Sequence, residues 1–175
     1  PSTENFDAWQ ADWPDAQMYM VFLGINDKTT FGGAERGTER FRTALGNWAR
    51  FWAAHLQKLG IEPSRLGILT LDEPRNQEHY NAVVDWARAI AAAGTGIMSF
   101  TDPIASEPEG LEAMYEVVDI ICPNRALILT RPEWYLRQVR EAQAKGKQMW
   151  LYSCSGPARS FDPYSYYLAQ AWDAF

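Results

Sequence analysis

Leu66-Gly67-Ile68-Leu69-Thr70-Leu71-Asp72-Glu73-Pro74 is the stretch on which the fold turns. Its first part is apolar or small throughout, which reads as a strand covered on both faces, as in a parallel sheet. Two carboxylates then leave the strand together, and Pro74 keeps Glu73 out of the helical region and opens the next turn. Asn76 caps a helix whose apolar face is Tyr80, Val83, Val84, Ala87 and Ala91, and Gly94 ends it. The repeating unit is therefore a strand, a polar corner and an amphipathic helix.

The unit recurs on both sides. Residues 17–25 (QMYMVFLGI) predict a first strand, followed by a glycine-punctuated loop. Phe41, Leu45, Trp48, Trp52, Leu56 and Leu59 then repeat at spacings of three and four, the pattern of a long helix. Residues 96–101 predict a third strand that runs into Asp102-Pro103, and Ser106 with Glu109 predicts a capping box for a short helix. A fourth strand, 117–122, ends at Pro123-Asn124, after which 126–129 suit either loop or extended chain. Thr130 with Glu133 predicts a second capping box for a helix through Lys145. Residues 148–153 (QMWLYS) form the fifth strand, and Asp162 with Pro163 starts a last helix.

Strands alternating with helices in this way predict an α/β fold of parallel βα units, joined by right-handed crossovers in a single domain over 1–175. A complete (β/α)8 barrel takes about 250 residues. At 175 residues the chain is either an open doubly wound sheet or a partial (β/α)8 TIM barrel of about five units.

Composition narrows the function. With 47% hydrophobic residues the chain can build a real core. A net charge of -6 without a basic block argues against nucleic acid and anionic membranes as partners, and no apolar run is long enough to span a bilayer. Two cysteines and two histidines supply neither a disulfide framework nor a His-rich zinc site, so no metal or cofactor is expected. Aromatic residues reach 14%, and flat rings with a polar edge suit the apolar faces of sugars. Core packing is the competing use for them.

In either architecture ligands gather beyond the C-terminal ends of the strands, where this chain places Asn26-Asp27, Asp72-Glu73, Asp102, Asn124 and the group Tyr152, Cys154 and Ser155. Asp102 and Asn124 also suit turns and caps, which would explain them without a ligand. Asp72 and Glu73 are less easily dismissed. Adjacent like charges and burial raise a carboxyl pKa, the condition for a general acid near neutral pH. Glu73, just before Pro74, can leave the pleat and turn into the mouth of the sheet. Trp150 and Tyr152 share a face of the fifth strand and would form an aromatic wall. Trp48, Trp52, Trp86, Trp172 and His55 are expected to pack the core. Two other chemistries are weaker. Gly32-Gly33 and Gly37 before a helix could hold an anion, but no phosphate-binding lysine accompanies them. Cys154 as a nucleophile lacks a nearby base.

The runs Leu71-Asp72-Glu73-Pro74, Asp119-Ile120-Ile121-Cys122-Pro123-Asn124 and Trp150-Leu151-Tyr152-Ser153-Cys154-Ser155-Gly156-Pro157, then Tyr166-Tyr167 and Trp172, resemble the C-terminal catalytic region of glycoside hydrolase family 123. The likeness spans roughly residues 61–175 and is weaker before them. It implies part of a (β/α)8 barrel, with the remaining barrel segments and an N-terminal β-sandwich in a longer parent chain, in a protein that is usually exported. It also implies a retaining glycosidase for 2-acetamido sugars, β-N-acetylgalactosaminidase-like, whose substrate's own acetamido carbonyl attacks the anomeric carbon. Carried over by position, Glu73 is the catalytic acid/base and Asp72 orients the acetamido group, while Trp150, Tyr152, Asp102 and Asn124 are expected to bind the carbohydrate. Substrate assistance suits adjacent carboxylates, which seldom reach the separation of about 5 Å across the anomeric centre that an enzymic nucleophile requires. The chain departs from the family at Ser153-Cys154-Ser155, where many members carry two consecutive cysteines. The alternative is a barrel fragment that binds carbohydrate without turnover.

Overall fold

The computed structural model describes residues 2–105, 107–153 and 172. Its elements run α1 (Glu4–Asp12), β1 (Tyr19–Phe22), α2 (Glu39–Lys58), β2 (Leu66–Leu69), α3 (Gln77–Ala91), β3 (Met98–Thr101), α4 (Leu111–Val117), β4 (Ile120–Ile121), α5 (Arg125–Thr130), α6 (Pro132–Ala144) and β5 (Gln148–Met149). The strands form one parallel sheet in the order β1-β2-β3-β4-β5. This order decides between the two architectures. A doubly wound sheet reverses direction at a switch point, whereas strands added always on the same side follow the winding of a (β/α)8 barrel. Among the described residues the chain is an α/β fold of five parallel strands alternating with helices, added in one direction.

The two faces of the sheet have different jobs. On the outer face Tyr19, Leu66, Ile68 and Ile121 join a core with Phe41, Leu45 and Leu56 of α2 and with Val83, Trp86 and Ile90 of α3. Each of these large side chains, fully removed from water, stabilises the fold by about 1.5–3 kcal/mol. On the inner face Phe100, Ile120 and Cys122 form a second cluster with Met18, Met20, Leu69, Met98 and Tyr152. Register places Phe22, Leu69, Phe100, Ile120 and Gln148 in one row across that face. The layer is tight at β2, where a Cβ on Gly67 would stand 2.4 Å from the Met20 sulfur. The layer stays open to solvent at Phe22, which is 54% exposed.

Helix starts follow the sequence where a side chain can reach the orphan amides of the first turn. Thr38 caps α2 by accepting from the Phe41 amide, and Asn76 caps α3 by accepting from the His79 amide. Other expectations are corrected. The helix after β3 starts at Leu111 behind a left-handed Gly110, so Glu109 precedes it, and Ser106 lies outside the described residues. Residues 126–129 are helical in α5, because the Asn124 side chain accepts from the Ala126 amide. Thr130 is not the cap of α6. Its hydroxyl turns back to the Ala126 carbonyl, closing α5, and Pro132 begins α6. The expected strands 17–25 and 148–153 are shorter as regular ladders. Pairing nonetheless continues past them, through the bond from the Ile25 amide to the Thr70 carbonyl and that from the Arg125 amide to the Tyr152 carbonyl.

The helix α1 has no counterpart in the sequence reading. Phe6 packs edge-on against Tyr19 and Trp52, and the Asp7 carboxylate lies 2.5 Å from Nε2 of His55, so His55 is a partner of α1 and not a core residue. Trp86 is buried as expected, and Trp48 and Trp52 are partly buried against the core. Trp172 is 71% exposed, against its expected packing role. The helix expected from Asp162 lies outside the described residues.

Candidate active site at the C-terminal edge of the sheet

Beyond β2 the chain bends, and Glu73 takes a φ of 46°, the one non-glycine left-handed residue among those described. For a residue with a Cβ this region costs about 1–2 kcal/mol, so neighbouring contacts must hold it there. On the backbone side the Glu73 amide donates to Oδ1 of Asp102 at 3.2 Å, and the Ile104 amide donates to the Pro74 carbonyl at 3.3 Å. On the side-chain side the Tyr152 hydroxyl lies 3.1 Å from Oε1 of Glu73 and 3.2 Å from the Asp102 carbonyl oxygen. The Arg75 guanidinium stands 3.7 Å from Oε2. Glu73 thus leaves the pleat and meets Tyr152, with a quarter of its side chain still exposed.

Asp102 is the buried carboxyl of the cluster. Only 9% exposed, it sits one inner-facing position beyond Phe100. Burial pushes its pKa up from 3.8 to about 7; the nearby Asp72 carboxyl raises it further, while the bond from the Glu73 amide works the other way. Tyr152 is held well above the usual phenol range, first by its own burial and then by the charges of Glu73 and Asp102. It remains a neutral donor at any physiological pH, against a pull from the Asn124 side chain in the opposite direction. Asp72 stays exposed, and Asp102 is where its charge is felt.

Of these groups Asp102 and Tyr152 border a cavity of about 290 Å³ on the inner face of the sheet, and Glu73 and Asp72 are outside its lining. Its floor is apolar, from Phe22, Leu69 and Phe100, and its rim carries Asp102, Trp150 and Tyr152. Trp150 and Tyr152 do line one wall together. The Trp150 ring meets Phe100 edge-on at 5.6 Å, and its Nε1 donates to Oε1 of Gln148 at 3.1 Å. At 37% exposure the ring keeps part of its surface open to solvent.

The remaining candidates separate by contact. Asn124, expected to touch sugar, is 8% exposed, and it caps α5 and bonds to Tyr152, so it supports the wall from behind. Asn26 serves its own turn by accepting from the Lys28 amide. Gly32 and Gly33, both at positive φ, form the tight turn between Phe31 and Ala34, whose amides and carbonyls bond reciprocally at 3.0 Å. With Thr38 satisfying the first turn of α2, the glycines answer to turn geometry and the anion-binding reading loses its support. Cys122 is a free, buried thiol pushed up to about 12 by burial and by the Asp102 charge, which makes it a poor nucleophile. Cys154 and Ser155 lie outside the described residues. The sequence reading missed Arg75. Its position two residues after Glu73, across a proline-started turn, was the available signal.

Among the described residues no cluster of three or more His, Cys, Asp and Glu side chains could hold a metal ion, and no helix is long and apolar enough to cross a membrane. No protein-family model matches the chain, and no curated protein matches it.

Proposed function

We propose that this chain is part of a glycoside hydrolase for 2-acetamido sugars, working by substrate-assisted, retaining catalysis. The observation that supports it most is the left-handed Glu73, held between Tyr152 and Asp102 at the C-terminal edge of the sheet, beside an aromatic-walled cavity. Backbone strain kept in place by several independent contacts is characteristic of sites where geometry serves chemistry. In this reading Trp150 stacks on the sugar ring. The acetamido carbonyl oxygen attacks the anomeric carbon as the glycosidic bond breaks, and Glu73 gives its proton to the leaving oxygen. Asp72 holds the acetamido N–H while positive charge develops on the ring it closes. Water then attacks the anomeric carbon, Glu73 takes the proton back, and the ring reopens.

Asp102, neutral below about pH 7, hydrogen-bonds to Asp72, and its role is positioning. The rest of the barrel, about three further βα units, would come from a longer parent chain and cover the open inner face at Phe22.

The test is release of phenol from an aryl 2-acetamido-2-deoxy-β-galactoside, with Glu73→Gln alongside. Turnover that falls at least a hundredfold in the variant supports the reading. Thermal stabilisation by N-acetylgalactosamine without any turnover leaves a carbohydrate-binding domain in its place.

A further inference from the structure

A second cavity, also of about 290 Å³, lies on the outer face of the sheet between α1 and α2. Four rings wall it: Phe6 and Trp9 of α1, and Trp48 and Trp52 of α2. Leu66 and Ile68 of β2 form its floor, and the exposed Ser2 and Asn5 mark its mouth at the start of α1. The rings meet edge-on, Phe6 with Trp52 at 5.5 Å, Phe6 with Trp9 at 5.9 Å and Trp48 with Trp52 at 6.4 Å, so they do not stack into a closed pile and a flat guest can join them. Among the described residues no charged side chain borders the cavity, which selects against an ionic guest.

Close-packed interiors seldom leave an apolar space of this size, because each wall atom that faces it lacks a contact. An apolar void of about 150 Å³ already takes up benzene, so the space under α1 has room for two fused rings. Trp52 adds a polar requirement. Its Nε1 is out of water and has no hydrogen-bond partner, a state that costs stability until an acceptor reaches it. The helix α1 can yield to admit a guest, since Phe6 is its one buried side chain and the Asp7 contact with His55 its polar tie to α2. We propose that this cavity binds a neutral, flat molecule of two fused rings carrying one hydrogen-bond acceptor, which packs among Phe6, Trp48 and Trp52 and takes the Trp52 N–H. The site lies across the sheet from the inner-face cavity and does not rest on the hydrolase reading.

The probes are 1-indanone and indane, which share one bicyclic shape while only the first carries an acceptor. Each is titrated by calorimetry into the parent, into Asn5→Trp, which sets a ring over the mouth, and into Trp52→Phe, which keeps a ring and removes the N–H. The expected result is saturable binding of 1-indanone with a Kd below about 1 mM, at least threefold tighter than indane. Asn5→Trp should weaken 1-indanone at least tenfold, and Trp52→Phe should abolish its advantage over indane. Asn5 is exposed, so its replacement leaves the fold intact. Absence of saturable 1-indanone binding in the parent, or binding that Asn5→Trp leaves unchanged, overturns the site. Indane binding the parent as tightly as 1-indanone overturns the chemistry given to it.

Discussion

The hydroxyl of Tyr152 reaches Oε1 of Glu73 at 3.1 Å across 79 positions of sequence. The Tyr152 hydroxyl also lies 3.2 Å from the Asp102 carbonyl oxygen, so one phenol spans the ends of β2, β3 and β5. Replacing Tyr152 with Phe keeps the ring on the cavity wall and removes only the hydroxyl. An intramolecular hydrogen bond is worth about 0.5–1.5 kcal/mol net, so on the hydrolase reading kcat/KM on an aryl 2-acetamido glycoside should fall roughly two- to tenfold. An unchanged rate would mean that the tyrosine does not orient the acid.

Glu73 holds a backbone conformation that glycine adopts without cost. Glu73→Gly should therefore abolish turnover yet leave the fold as stable as the parent or up to about 1 kcal/mol more stable, the relief being partly offset by a looser unfolded chain. Glu73→Gln retains the Cβ and should show no such gain. Urea unfolding of the two variants side by side decides it, and a Glu73→Gly protein less stable than Glu73→Gln would refute the strain.

Burial of Asp102 makes stability depend on pH in a defined direction. Its carboxyl titrates near 3.8 when unfolded and at about 7 when folded, so between these values the folded state binds the extra proton. The contribution is complete below about pH 4, declines as pH rises through 7, and is constant above that. A shift of this size corresponds to something on the order of 4 kcal/mol. Asp102→Asn keeps an acceptor for the Glu73 amide and has no proton to lose. It should match the parent at pH 4 and exceed it by a few kcal/mol at pH 8. A difference between the two proteins that is the same at both pH values would contradict the buried carboxyl.

Lys147 marks a structural counterpart on the far side of the sheet. Its ammonium donates to the carbonyls of Tyr115, Glu116 and Val118 at 2.7–2.8 Å, closing the C-terminal end of α4 against the approach to β5. Lys147→Met keeps the apolar stem and removes all three bonds. A loss of roughly 2–3 kcal/mol in unfolding free energy is expected, with kcat unchanged in the folded fraction. A loss below about 0.5 kcal/mol would show that water replaces the ammonium there.

Much of the scaffold was legible because it is written in local terms. The alternation of apolar strands with amphipathic helices, and caps such as Thr38 and Asn76, act over a few residues, so their spacing carries the message. Where two local solutions compete, spacing misled. Thr130 was as good a cap as Asn124, and the outcome depended on which helix its hydroxyl could close. The helix α1 has a weak apolar stripe, and its place comes from Tyr19 and Trp52, which belong to other elements.

By itself the sequence determined that the chain is made of parallel βα units, and that carboxylates and rings stand at the strand ends, because hydrophobic period and turn chemistry are properties of neighbours along the chain. Only the tertiary structure decided that the strands add in one direction, that Glu73 turns left-handed toward Tyr152, and that burial falls on Asp102. Strand order, a long-range hydrogen bond and desolvation all depend on which distant residues are brought together, and no window of local sequence contains that information.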